Sequence, residues 1–287
     1  MNHIKLFVDL ARLKKPIGYM LLFWPCIWGL TLAYDFSSNL SNYFFYLTLF
    51  FLGAVFMRSA GCIVNDILDK EFDKKVFRTK NRPIASNQIS VKLAIVYVII
   101  LCFLALLVLL NFNTLTIILA LGSMPLAFTY PLMKRYTYWP QLFLGITFNY
   151  GLILGWTAIK GQIDMIPILF YIGAIFWTLG YDTIYGYQDI KDDEIIGLKS
   201  TSIKFKKSPH KFLVLCYSVF ILNLLIIGKL MVLNNLYFFG LSIVFFQIFY
   251  FQLKKLNIQN ATNCLAVFKS NNFLGLLIFL ILIIGKI

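Results

Sequence analysis

The sequence predicts an all-helical integral membrane protein built from nine transmembrane helices. Hydrophobic residues make up 60% of the 287 residues, well above the roughly 45–50% typical of soluble domains. The mean hydropathy is +0.80. Apolar stretches of about 17–25 residues, the length that crosses a bilayer, recur along the whole chain. No segment is left over to form a soluble domain.

The predicted spans are separated by short polar or charged segments, such as residues 111–113 between the third and fourth spans. The spans lie near residues 17–34, 43–61, 91–110, 114–131, 140–158, 165–186, 211–228, 233–252 and 271–286. Gly151 and Gly155 are four residues apart on the fifth span, a spacing that favours close helix packing. We therefore expect one transmembrane domain over residues 1–287, with motif-bearing loops at about 62–90 and 187–210.

Most acidic residues are concentrated in two short clusters. Nine of the twelve Asp and Glu residues lie within 65–73 and 182–194, although the formal net charge is +14. Each carboxylate raises the ionisation cost of its neighbours, and bound multivalent cations offset that repulsion. Mg²⁺ takes oxygen ligands and completes its coordination shell with substrate phosphates. The expected metal ligands are Asn65, Asp66, Asp69, Asp73, Asp189 and Asp193.

Both clusters have helical spacing, so that each presents its polar groups on one face. The steps between successive positions are three, four or seven residues. The positions are Arg58, Asn65, Asp69 and Asp73 in the first cluster and Asp182, Tyr185, Asp189 and Asp193 in the second. If the two helix ends face each other, their carboxylates can hold two Mg²⁺ ions around one diphosphate.

Each cluster is followed by a basic, hydroxyl-bearing segment, at 78–83 and at 199–201. Arginine and lysine bind phosphate oxygens through charge-assisted hydrogen bonds, so these segments suit a diphosphate. Arg58 lies inside an apolar span, where a charged residue is costly and usually functional. Alternatively, Arg58 could form a structural ion pair with Asp66, or its side chain could extend to the membrane–water interface.

Lysine and arginine also predict the orientation of the chain. With the N-terminus inside, 22 of these residues fall on the inner side, three on the outer side and one, Arg58, within a helix. Positively charged loops stay in the cytoplasm, so we expect both acidic clusters at the cytoplasmic face of a bacterial inner membrane, with an intact N-terminus. A nucleic-acid partner is not expected, because that role requires a basic, aromatic-rich face on a soluble module.

The motifs resemble those of the UbiA-type prenyltransferases. Residues 65–73 match N-D-x-x-D-x-x-x-D, and residues 182–193 match D-x-x-Y-x-x-x-D-x-x-x-D. R-T-x-x-R-P follows the first motif at 78–83, and G-x-K-S-T follows the second at 197–201. The resemblance continues through 12–28, 130–135 and 268–275. Within the family, residues 181–183 and the K-S-T ending resemble the branch that prenylates 4-hydroxybenzoate, whereas Gly186-Tyr187-Gln188 departs from it.

The resemblance implies transfer of a polyprenyl group from an all-trans-polyprenyl diphosphate to the ring carbon ortho to the hydroxyl of 4-hydroxybenzoate, in ubiquinone biosynthesis. It implies Mg²⁺, with two ions, as the cofactor and the lipid bilayer as the environment of the prenyl tail. Catalytic roles fall on Asp182, Asp189 and Tyr185, and Arg58 and Asp182 bind the aromatic acid. The implied diphosphate-binding residues are Arg78, Lys80, Arg82, Lys134, Arg135 and Lys199.

Three other functions are compatible with parts of this pattern. A protein of the same fold could take another acceptor, such as a naphthoate, a homogentisate or a haem vinyl group. A divalent-cation transporter is less favoured, because transport sites lie near the membrane midplane on broken helices. A phosphatidyl-alcohol transferase is disfavoured, because Lys70 stands where its motif requires glycine.

Reporter fusions test the predicted orientation. Fusions made after Asp73 and after Asp193 should both report a cytoplasmic location, because the charge asymmetry places both clusters inside. An external location for either junction would separate the two clusters across the membrane and contradict a shared site.

Overall fold

The computed structural model describes residues 3–287, and within that range it contains helices and no strands. Nine long helices form the bundle. They are α1 (Ile17–Ala33), α2 (Leu40–Leu68), α3 (Val91–Leu109), α4 (Thr114–Thr129), α5 (Pro140–Lys160), α6 (Met165–Gly186), α7 (Pro209–Leu230), α8 (Asn235–Leu253) and α9 (Ala261–Lys286). The predicted fold class, an all-helical membrane protein, is confirmed.

The predicted count of nine membrane spans is one too high. Over residues 3–287, eight helices are long and apolar enough to cross a membrane. The exception is α1, which has 17 residues. At about 1.5 Å per residue it is roughly 26 Å long, short of the hydrocarbon core of roughly 30 Å. Pro16 stands at its start, and the extended backbone of Tyr34 ends it.

Two helices are longer than the hydropathy pattern predicts. α2 continues past residue 61 to Leu68, and α9 begins at Ala261 rather than near residue 271. The added turns carry polar side chains that line a cavity inside the bundle, among them Asn65 and Lys269. Polar side chains lower the local hydropathy, so hydropathy alone does not identify the turns that carry them as helical.

Short helices surround the end of the bundle that carries the motifs. They are His3–Leu10, Lys70–Asp73, Met133–Tyr136, Ile190–Ile196 and Thr201–Lys204. Gly197 ends the helix after the second motif with a left-handed φ of 79°. A glycine suits this position because it has no side chain to clash in that conformation.

α1 lies at the centre of the helix packing. It packs against α2, α5 and α9, while α5 also packs against α4 and α6, and α6 against α7 and α9. Contacts between α2 and α3 and between α8 and α9 complete the bundle. This arrangement places the C-terminal ends of α2 and α6, which carry the acidic motifs, at the same end of the bundle.

Glycines allow α1 and α5 to approach to backbone contact. A Cβ atom added at Gly155 would lie 2.0 Å from the Cys26 carbonyl oxygen, and one added at Gly29 would lie 2.0 Å from the Leu152 carbonyl oxygen. At Gly151 the nearest atom would be the Cys26 Sγ, at 2.4 Å. The close packing predicted for the Gly151 and Gly155 pair is therefore observed.

The α1–α5 contact predicts a large effect for a small substitution. Gly155→Ala should lower the thermal unfolding temperature in detergent, because a new methyl group forces two backbones apart at a cost of about 1–3 kcal/mol or more. Gly122→Ala is the matched control, since a Cβ there meets no atom within 4 Å. Equal unfolding temperatures for the two variants would contradict the close contact.

Candidate active site

A cavity of about 1080 Å³ opens at the motif-bearing end of the bundle. Both acidic clusters line it, so the structure brings together the two motifs that the sequence places far apart. The lining includes Asn65, Asp66, Asp69 and Asp73 from the first cluster and Asp182, Tyr185, Asp189 and Asp193 from the second. The facing arrangement of the two helix ends is therefore observed.

Arg78 connects the two clusters directly. Its Nε donates hydrogen bonds to both carboxylate oxygens of Asp189, at 2.7 and 3.0 Å, and its Nη2 donates to Asp189 as well. Its Nη1 donates to the Tyr185 hydroxyl at 3.2 Å. One residue earlier, the Phe77 backbone N–H donates to Asp192 at 3.3 Å. The segment after the first motif thus binds the segment that carries the second.

Two arginines surround the carboxylates of the first cluster. Arg12 Nη2 lies 2.5 Å from Asp66 Oδ1, and Arg82 Nη1 lies 3.0 Å from the same oxygen. Arg82 Nη1 also lies 2.8 Å from Asp73 Oδ2. Asp66 and Asp73 are buried, at 2% and 6% exposure. Buried carboxylates require such partners, because an unpaired charge out of water is strongly disfavoured.

Asp69 is compensated from a different element, the short helix Met133–Tyr136. Lys134 donates a hydrogen bond to Asp69 Oδ2. Arg135 Nη2 lies 3.6 Å from Asp69 Oδ1 and donates instead to the Leu68 carbonyl oxygen at 2.7 Å. Asp69 Oδ1 is buried and accepts no hydrogen bond. The carboxylate therefore keeps an oxygen in the interior that a further cation could bind.

Burial raises the pKa of two motif carboxyls outside the membrane-spanning helices. The pKa of Asp193 is raised to about 6, first by burial and then by the nearby negative charge of Asp189. Burial also raises the pKa of Asp73, with the Arg82 guanidinium acting in the opposite direction. A bound cation would favour the ionised form of both groups.

Arg58 lies in a narrow slot between α1 and α5. Its Cζ is 5.2 Å from the centroid of the Phe148 ring. On the other side is Gly18, where an added Cβ would lie only 2.8 Å from Arg58 Nε. This Nε is buried and makes no hydrogen bond. Asp66, the partner expected under a structural interpretation of Arg58, pairs instead with Arg12 and Arg82.

The other predicted phosphate-binding residues are not all brought to the cavity. Lys134 and Lys199 line it, and Lys199 Nζ donates to the Tyr136 carbonyl oxygen at 3.1 Å. Arg135 is not among the lining residues. Lys80 is exposed, with its ammonium 4.6 Å from the centroid of the Phe77 ring. Lys80 and Arg135 are therefore placed around the cavity and not inside it.

Several lining residues were not predicted as site residues. They come from the N-terminal segment, from the turn after α4, from α5 and from α9, and include Arg12, Lys14, Lys15, Tyr130, Phe148, Lys269 and Asn272. Apart from the basic run at 12–15, these residues are scattered over separate elements, and none of them belongs to a spaced motif of the kind that marks the two acidic clusters. The available signal was the resemblance of residues 12–28, 130–135 and 268–275 to the family.

The oxygen donors fit Mg²⁺ as a metal that the substrate helps to bind. Over residues 3–287, no group of three or more His, Cys, Asp or Glu side chains is close enough to hold a metal ion alone. Mg²⁺ is commonly held by one or two carboxylates together with water and substrate phosphates. The buried Asp69 oxygen and the facing carboxylates of Asp189 and Asp193 supply donors of this kind.

Sequence comparison gives a family match over most of the chain. The model of the UbiA prenyltransferase family matches residues 22–280. The chain is 44% identical over 283 residues to a Bos taurus protein named 4-hydroxybenzoate polyprenyltransferase, mitochondrial. That match covers 98% of this chain and 75% of the bovine protein.

Two solved structures have a similar fold. The apo structure of a UbiA homolog from Aeropyrum pernix K1 has a TM-score of 0.78 at 21% identity, covering 94% of this chain and 98% of that one. The structure of a UbiA homolog from Archaeoglobus fulgidus bound to GPP and Mg²⁺ has a TM-score of 0.69 at 16% identity, covering 97% and 99%. At such identities the likeness concerns the fold alone.

Proposed function

The chain belongs to the UbiA prenyltransferase family, and we propose that it is a 4-hydroxybenzoate polyprenyltransferase of ubiquinone biosynthesis. In the proposed reaction the allylic C–O bond of an all-trans-polyprenyl diphosphate breaks and diphosphate leaves. A new C–C bond forms at the ring carbon ortho to the phenol hydroxyl, and that carbon loses its proton to a base. The name and the 44% identity of the bovine relative support this choice of acceptor.

The observation that carries the proposal is the convergence of both acidic motifs on one cavity through Arg78. Carboxylates alone would repel a diphosphate, and guanidinium groups alone would leave no ligands for a metal. Here Asp189 and Arg78 are in direct contact, and Asp73 and Arg82 form a second such pair. Alternating charges of this kind suit a metal–diphosphate complex, in which each partner finds an opposite charge.

We assign the metal to ligands from both motifs, with two ions in all. Asn65, Asp69 and Asp73 would supply one side of the site, and Asp189 and Asp193 the other. When bound, Mg²⁺ neutralises the charge that develops on the departing diphosphate. The Mg²⁺ and GPP named for the Archaeoglobus fulgidus structure support this assignment. Arg78, Arg82, Lys134 and Lys199 would contact the phosphate oxygens, with Lys80 and Arg135 farther out.

The acceptor would bind deeper in the cavity, at the Arg58 slot. The Phe148 ring and the bare backbone of Gly18 confine the guanidinium on two sides. A guanidinium held in this way can bind a carboxylate with two parallel hydrogen bonds. Asp182 lines the same cavity, where it would orient the phenol, with Tyr185 beside Arg78. Apolar lining residues such as Leu21 and Leu265 suit the first part of the prenyl chain.

The protein is a multi-pass membrane protein, and its proposed location is a bacterial inner membrane with the cavity at the cytoplasmic face. The concentration of Lys and Arg at the motif-bearing end supports this sidedness. The bovine relative is named as mitochondrial, so a mitochondrial membrane is the alternative location, with the cavity on the side that holds the positive charge.

Substitution of metal ligands tests the proposed site. Asp69→Ala, Asp73→Ala, Asp189→Ala and Asp193→Ala should each lower kcat by about a hundredfold or more, because each removes an electrostatic contact made as the diphosphate departs. Chelation should abolish wild-type activity, and Mg²⁺ should restore it. Glu71→Gln is the control, since Glu71 belongs to the first cluster but pairs with Lys74 at the surface. Full activity without any divalent metal would rule out this site.

Arg58 tests the identity of the acceptor. Arg58→Ala should raise the KM for 4-hydroxybenzoate by about tenfold or more, since hydrogen bonds to charged groups contribute about 1.5–3 kcal/mol. Arg58→Lys should recover only part of the loss, because an ammonium cannot form the same two-pronged contact. The KM for the prenyl diphosphate should change much less. Equal losses for the free acid and for its ester would show that Arg58 does not bind the carboxylate.

A further inference from the structure

The N-terminal segment, residues 3–16, lies against the cavity and contributes to its wall. Leu10, at the end of the helix His3–Leu10, is fully buried in a small apolar cluster with Ala60 and Ile63 of α2. Phe7 packs edge-on against Tyr97, with ring centroids 5.0 Å apart. Arg12, Lys14 and Lys15 then follow along the rim of the cavity. The segment is thus docked on α2 by apolar contacts and ends in charged residues at the site.

Arg12 adopts a backbone conformation that an arginine rarely takes. Its φ is 55°, in the left-handed region. The Leu13 N–H donates to the Val8 carbonyl oxygen at 3.1 Å, which is the helix-ending hydrogen-bond pattern that usually has glycine at this position. A non-glycine residue here is disfavoured by its Cβ. Strain of this kind is typical of functional positions. Glycine would fit the backbone of this turn better, so we infer that position 12 holds an arginine because its side chain has a role.

That side chain begins a chain of alternating charges. Arg12 donates to Asp66 Oδ1 at 2.5 Å, Arg82 donates to the same oxygen at 3.0 Å, and Arg82 also reaches Asp73 at 2.8 Å. Asp66 is therefore shared by two guanidinium groups, one from the N-terminal segment and one from the loop after the first motif. Removing either partner of Asp66 would leave the other charges of this buried chain unbalanced.

Asp66 differs from Asp69 in what its carboxylate does. Asp66 Oδ1 accepts hydrogen bonds from two arginines that lie far apart in the sequence. Asp69 Oδ1 accepts none, although it is buried. Asp69 pairs with Lys134 on its other oxygen, whereas Asp66 links the N-terminal segment to the loop after the first motif.

We propose that Arg12 and Asp66 are a positioning pair. Their ion pair holds the N-terminal segment against the cavity and fixes Arg82 where it meets the diphosphate, and Asp66 acts through these arginines and not as a metal ligand. The inference rests on the proposed function, because Arg82 is assigned to the diphosphate there. It differs from the expectation from sequence, which groups Asp66 with the metal ligands.

The test uses the full-length protein in nanodiscs with Arg12→Gly, Asp66→Asn, the double variant and Asp69→Asn. Arg12→Gly removes the side chain and relieves the backbone, so the variant is expected to fold. Lys5→Gln is the matched control, because it removes a positive charge from an exposed position on the helix His3–Leu10, which precedes Arg12. Arg12→Lys keeps the positive charge, so it should lose less of the wild-type function than Arg12→Gly. If Asp66→Asn does not fold, the two Arg12 variants carry the test.

Hydrogen exchange of residues 3–16, measured by mass spectrometry, should be faster in Arg12→Gly and Asp66→Asn and unchanged in Asp69→Asn and Lys5→Gln. This readout requires no activity, so it separates a failure of the positioning pair from a failure of the proposed function. Exchange that is unchanged in Arg12→Gly would overturn the inference.

Two kinetic quantities, the KM for the prenyl diphosphate and the Mg²⁺ requirement, should also distinguish these variants. Arg12→Gly and Asp66→Asn should raise the KM for the prenyl diphosphate by about tenfold, the loss expected for a charged hydrogen bond. The Mg²⁺ concentration for half-maximal activity should stay unchanged in both and rise in Asp69→Asn. The double variant should lose no more than either single variant, since coupled residues are not additive. A Mg²⁺ requirement raised equally by Asp66→Asn and Asp69→Asn would make Asp66 a metal ligand and overturn the assignment.

Discussion

The structure of the cavity depends on the compensation of buried carboxylates. Asp66, Asp69 and Asp73 are almost fully buried within a few residues of one another. Each would be strongly disfavoured as an isolated anion. The required cations come from three separate elements, namely the N-terminal segment, the loop after α2 and the short helix after α4. Charge compensation therefore determines which segments must meet at this end of the bundle.

The same pairs explain how one cavity can serve both a metal and a diphosphate. A carboxylate paired with a guanidinium presents both charges to an incoming metal–diphosphate complex. The Arg78–Asp189 contact is of this type, and it lies where the loop after α2 meets the end of α6. Arg58 is different, because over residues 3–287 it forms no ion pair and lies instead against Gly18 and Phe148. That difference distinguishes the region proposed for the diphosphate from the region proposed for the carboxylate-bearing ring.

A close crossing of α1 and α5 accompanies this arrangement. The backbones of α1 and α5 touch near Gly29 and Gly155, and α1 also packs against α2 and α9. α1 is short by membrane standards, yet it contacts most of the helices that line the cavity. Its first turn places Gly18 beside Arg58, and farther along the same helix Gly29 contacts the backbone of α5.

Much of this architecture was predictable from the chain alone. The apolar stretches located the nine long helices, although α1 is too short to count as a membrane span. The spacing of the two acidic clusters predicted their shared faces. The start of α9 and the end of α2 were predicted at the wrong residues, because the turns there carry polar side chains that line the cavity and lower the local hydropathy. Arg12 was not identified as a site residue, because nothing in its local spacing connects it with Asp66, 54 positions away.

Local composition and helical spacing establish the fold class, the positions of the charge-rich segments and their common end of the bundle. Which charges pair follows from the packing of the helices. Asp66 pairs with Arg12 and Arg82, Asp69 pairs with Lys134, and Arg58 lies over the Phe148 ring. The physical reason is that pairing depends on distances between side chains of different helices, and these distances are set by how the helices pack, which no single segment of the chain encodes.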